Sequence, residues 1–113
     1  MILTDKAKED FEKWFVESVF LNQFMWDGIT APVEHFNESH TSMQYGVYVD
    51  WFDSVGMDIE ICVTVAGHEY YFMIDDDSDN PIMNETRHEA RTKAIEKANE
   101  IYNKKQRLKQ YVK

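Results

Sequence analysis

At 113 residues, 43% hydrophobic and 14% aromatic with only four Gly and two Pro, the chain has the make-up of one small globular domain, not of a disordered segment. No run approaches the ~20 apolar residues that span a bilayer, the charged opening MILTDKAKEDF lacks a secretory signal's apolar core, and the lone Cys62 allows no internal disulfide. These features point to the cytoplasm, and the net charge of −9 disfavours plain nucleic-acid binding and favours a basic partner.

The first expected element is a helix over residues 4–26. Thr4 supplies a capping hydroxyl and Asp5 an acid at the positive end of the dipole. Phe11, Trp14, Phe15, Ser18, Val19 and Asn22 follow the i, i+3, i+4 rule, giving one mostly apolar face. Phe20, Leu21 and Phe24 add a second, so the helix is either buried on two sides or forms a homodimer contact. Gly28 and Pro32 stop it, and residues 33–40 read as a short extended piece.

Three strands are expected next, over 42–52, 57–66 and 69–75, each with period-two patterning. Met43, Tyr45, Val47, Val49 and Trp51 share a face, as do Met57, Ile59, Ile61, Val63 and Val65, and then Tyr70, Phe72 and Ile74. A two-residue turn at Gly67-His68 would set Val65 against Tyr70, Val63 against Phe72 and Ile61 against Ile74. A first hairpin across FDSVG would set Val49 against Ile59. A last helix over 84–108 starts with a capping box of Thr86 and Glu89. Ala90, Ala94, Ile95, Ala98, Ile101 and Tyr102 form its inner face; beyond them the basic end projects or frays. The expected fold class is therefore α+β, a single domain over 1–113 in the order α-β-β-β-α: a three-stranded antiparallel meander with two helices on one face.

The charge is unevenly spread. Residues 1–83 carry 17 acids and 3 bases, whereas 84–113 carry 4 acids and 9 bases. In the expected register the open sheet face sets Asp50 opposite Asp58 and Glu60 opposite Asp75, with Tyr48 and Tyr71 beside them. Like charges facing each other destabilise a sheet. That leaves two readings, a solvated face of an acidic protein or a surface that docks a basic partner. Asp76, Asp77 and Asp79 extend the same field. Asp75, Asp77 and Asp79 alternate like the start of an EF-hand loop, but the twelfth position is Thr86 and Pro81 interrupts the run, so a metal is not expected. A strand-to-helix turn explains the acids equally well.

No glycine-rich phosphate loop or nucleophile elbow is present, and His35, His40, His68 and His88 lack zinc-ligand spacing. Glu60 and Asp75 on an open face have no cleft in which to share a proton. The chain reads as non-enzymatic and without a cofactor.

Two resemblances extend this reading. RHEARTKAI, Arg87 to Ile95, together with the helix–three strands–helix order, resembles the double-stranded-RNA-binding domain. That resemblance implies RNA contacts at Arg87, His88 and Arg91, with Lys93 and the basic tail beside them. TRHEARTKAIEKANEIYN is similar to the C-terminal helix of small proteins encoded by phages and prophages. That one implies an accessory or inhibitor protein, of the anti-CRISPR kind among others, which engages a basic, nucleic-acid-handling host protein. The expected partner surface is Tyr48, Asp50, Asp58, Glu60, Tyr71, Asp75 and Asp77. An RNA-binding module and a structural homo-oligomer held by the first helix are the alternatives.

Overall fold

A computed structural model of the chain describes residues 1–20, 32–64, 66–67, 69–75 and 83–111. The described elements are α1 (Asp5–Phe20), α2 (Pro32–Glu38), α3 (Thr41–Ser54), β1 (Ile59–Val63), β2 (Tyr70–Ile74) and α4 (Arg87–Tyr111). The expected three-stranded meander is not formed. Residues expected in its first strand make α3, the extended piece expected at 33–40 is α2, and the described sheet has two antiparallel strands. The stop at Gly28 and the second apolar face at Leu21 and Phe24 lie outside the described residues.

The stretch SMQYGVYVDW fits both periods, and burial chooses between them. Val47, Tyr48, Trp51 and Phe52 are buried, the i, i+1, i+4, i+5 pattern of a helix face, whereas Met43 is 55% exposed. His40 caps the helix start, its Nδ1 accepting from the Ser42 amide at 3.4 Å. At the other end, Met57 N–H donates to the Phe52 carbonyl at 2.8 Å and Gly56 N–H to that of Asp53 at 3.1 Å. Gly56 has φ +86°, and Phe52 and Met57 are both buried, which completes a Schellman cap. FDSVG is therefore the end of a helix and not a hairpin loop.

The remaining hairpin pairs Ile59 with Ile74, Ile61 with Phe72 and Val63 with Tyr70, two residues away from the expected register. A two-residue shift keeps every side chain on its expected face, so the apolar side is correct although the partners are not. The shift lengthens the turn. Thr64 N–H donates to the Glu69 carbonyl at 2.9 Å, and Gly67, at φ +75°, donates to that of Thr64 at 2.8 Å. The expected pairing of Val63 with Phe72 and Ile61 with Ile74 is thus not made, and His68 lies outside the described residues. On its other side β2 is extended by one bridge, Tyr70 and Asn84 exchanging both backbone bonds at 2.8 Å.

The last helix follows its expectation closely. Thr86 Oγ1 accepts from the Glu89 amide at 3.1 Å, and Ala90, Ala94, Ile95, Ala98 and Tyr102 are buried. It runs on as helix to Tyr111 with no frayed turn before that residue. α4 packs against α1, α3 and both strands. The core between them is aromatic. The Phe11 ring lies 5.1 Å from that of Phe36, 5.2 Å from Tyr48 and 5.7 Å from Trp51, and Trp51 lies 5.0 Å from Tyr102.

α1 is fastened to α4 by two buried asparagines. Asn103 Oδ1 accepts from the Ala7 amide at 2.8 Å, and Asn99 Oδ1 accepts from Thr4 N–H at 2.9 Å. The Thr4 hydroxyl, expected to cap its own helix, instead accepts from Asn99 Nδ2 at 3.0 Å. The free amide of the first turn is satisfied across the core and not locally. Among the described residues no helix is long and apolar enough to cross a membrane.

Candidate functional site

The expected partner-binding residues do not form one sheet face. Asp50 is exposed on α3, Glu60 stands opposite Met73 and not Asp75, and Tyr71 pairs with Cys62. Tyr48 is 1% exposed, its ring in the core and its hydroxyl accepting from the Ile2 amide at 3.3 Å, so it has no surface to offer a partner. Burial also raises its phenol above the ordinary tyrosine range. Asp77 lies outside the described residues.

Asp58 and Asp75 do come together, at the mouth of the hairpin. Asp75 N–H donates to the Asp58 carbonyl and Asp75 Oδ1 accepts from Asp58 N–H, both at 2.8 Å. Asp75 is therefore a structural acceptor as well as a charge. Its backbone has φ +55°, a conformation that Asp tolerates better than most residues. α3 leads through Val55–Met57 into Asp58, and Asp50 and Asp53 are exposed on the second half of that helix, near its negative end. Reading FDSVG as a hairpin loop leaves Asp53 off the expected surface. None of Asp50, Asp53, Asp58, Glu60 and Asp75 forms an ion pair among the described residues, whereas Lys6 pairs with Glu9 and Asp10 and Lys97 with Glu100.

The residues of the basic alternative lie on α4. Arg87 stacks over Tyr70 and Arg91 over Tyr45, each guanidinium carbon 5.1 Å from the ring centre, whereas Lys93 is exposed. Lys104, Lys105, Arg107 and Lys109 are exposed on the helical turns beyond Tyr102.

A cavity of about 420 Å³ that the sequence did not reveal opens where the starts of α3 and α4 meet. Ile2, His40, Thr41, Ser42, Gln44 and Tyr45 line one side with Tyr48; His88, Arg91, Thr92 and Ile95 line the other. Arg91 Nε is buried there without a hydrogen-bond partner among the described residues. His40 Nδ1 lies 3.0 Å from Ser42 Oγ, and Thr92 Oγ1 donates to the His88 carbonyl at 3.1 Å. Sequence spacing does not join these groups, because the two halves lie some fifty residues apart and the first carries a strand-like period-two pattern. Among the described residues no three His, Cys, Asp or Glu side chains gather as metal ligands.

Comparison with known protein families, curated proteins and solved structures finds no match to this chain.

Proposed function

We propose that the chain is a non-enzymatic, cytoplasmic binding protein whose acidic corner, where α3 runs into β1 and β2 ends, engages a basic host protein. The observation that supports this reading is the contact of exposed Asp58 and Asp75, with Glu60 exposed on β1 and Asp50 and Asp53 exposed on the helix that leads into Asp58. None of these acids has a cationic partner among the described residues. Acids left unpaired on a chain of net charge −9 raise the encounter rate with a cationic surface and exclude anionic ones. Tyr71, half-buried beside Cys62, adds contact area. An accessory or inhibitor of the phage-encoded kind, acting on a nucleic-acid-handling protein, fits this surface and the similarity of the C-terminal helix.

Asp58→Lys combined with Glu60→Lys tests the reading, since neither carboxylate holds a neighbouring element in place. Asp75 is left alone because its carboxylate braces the hairpin. In a pull-down from nuclease-treated bacterial lysate, the wild type should capture basic proteins that the double variant loses, with an unchanged circular dichroism spectrum. Capture that survives both reversals would show that the partner surface lies elsewhere.

One observation favours a nucleic-acid reading: the exposed cations at 104, 105, 107 and 109 lie on continuous helix. Binding of duplex RNA that weakens steeply with salt, and is lost when those four residues are neutralised, is the outcome that reading requires.

A further inference from the structure

We infer that the cavity between the starts of α3 and α4 binds a small organic anion, its carboxylate or phosphate held by Arg91 and its apolar body laid against Tyr45 and Ile95.

The inference begins with Arg91. A buried donor left without an acceptor is costly, and such groups are rare in native folds. Nε of Arg91 is such a donor among the described residues. Being buried it is not itself open to a ligand, but Arg91 lines the cavity and its terminal amino groups form no hydrogen bond or ion pair among the described residues. The contact with Tyr45, the guanidinium carbon 5.1 Å from the ring centre, is a cation–π interaction and uses none of the N–H groups' hydrogen-bonding capacity. This planar fork suits a carboxylate or phosphate.

The surroundings agree. The chain has 21 acids and 12 Lys and Arg, yet among the described residues no acid lines this cavity, whereas Arg91 and two histidines do. In so acidic a protein, an arginine facing a cavity without a carboxylate partner leaves room for an anion from outside. The first turns of both helices border the cavity, through Thr41 and Ser42 of α3 and His88 of α4. Helix starts carry unpaired amides and a partial positive charge, which add to the same preference. The volume of about 420 Å³ lies within the ~300–1,000 Å³ typical of small-molecule sites. Tyr45 and Ile95 supply an apolar wall, so a bare inorganic ion would leave much of the space unfilled.

Isothermal titration of the full chain with phenyl phosphate, phenylacetate and the neutral benzyl alcohol tests this. At least one anion should bind saturably at millimolar concentration or below, and benzyl alcohol should bind at least about tenfold more weakly. Arg91→Gln should weaken the anion at least about tenfold, or 1.4 kcal/mol, and His88→Gln less, both with unchanged circular dichroism. If Arg91→Gln does not fold, the wild-type protein still decides: its Arg91 Nε–H resonance should shift as the anion saturates. An unmoved Arg91 resonance, equal binding by Arg91→Gln, equal binding of benzyl alcohol, or no anion binding would each overturn the assignment.

Discussion

Asn103 shows how a single side chain can replace a local rule. The first turn of a helix leaves amides without partners, and a threonine before it is the usual remedy. Here Asn103, reached across the core from α4, accepts from Ala7 N–H at 2.8 Å and returns a bond to the Thr4 carbonyl at 3.0 Å. Asn103→Ala would leave the buried Ala7 amide unpaired and should lower stability by about 1–3 kcal/mol, read from the shift of the urea midpoint. Thr4→Val, by contrast, removes an acceptor shared by Asn99 and Asn103 but leaves the Thr4 and Ala7 amides paired, and should cost less. The helix start at Thr4 was legible in the sequence. The residue that caps it was not, because its partner lies 96 positions away.

At the scale of elements, α3 is the instructive case. Tyr45, Val47, Val49 and Trp51 alternate as a strand would, whereas Tyr48, Trp51 and Phe52 also fall at helical spacing. β-branched Val47 and Val49 favour strand locally, but burying Tyr48, Trp51 and Phe52 together overrides that preference. Gly56 followed by apolar Met57 was a readable signal for the helix end, and reading FDSVG as a hairpin loop concealed it. Gly56→Ala should destabilise the fold by roughly 1–2 kcal/mol, the cost of a side chain in left-handed backbone. An added Cβ there meets nothing within 4 Å, so the loss should be conformational only, visible in a thermal melt without change in the circular dichroism spectrum. The hairpin was half legible. Its faces followed from alternation, while its register depended on a turn whose length alternation does not encode.

Across the whole molecule, aromatic packing couples α1, α2, α3 and α4 into one core, and this gives a collective pH response. Burial raises the phenols of Tyr45, Tyr48 and Tyr102 above their ordinary value, and Asp10, accepting from the Tyr102 hydroxyl at 2.5 Å, adds to the shift at Tyr102. Groups whose folded pKa is raised stay protonated in the native state after the unfolded chain has lost its protons. Their contribution is therefore intact below about pH 10, the unfolded tyrosine value, and is lost as pH rises beyond it. Urea midpoints should be flat from pH 7 to 9 and fall above about pH 10. Tyr102→Phe should make that fall shallower, and an equal slope in the variant would remove Tyr102 from the account. The same core explains why the expected docking surface does not form, since Tyr48, expected on an open sheet, packs instead against Phe11 and Phe36. By itself the sequence determined the chain's charge asymmetry, the capped start and inner face of α4, and the apolar side of β1 and β2. Each of these depends on residues within a few turns or one strand of each other. The helical state of α3, the hairpin register, the acidic corner and the Arg91 cavity were decided only by tertiary structure. Local patterning allowed two answers at each of them, and the free energy of burying rings contributed by distant segments selected one.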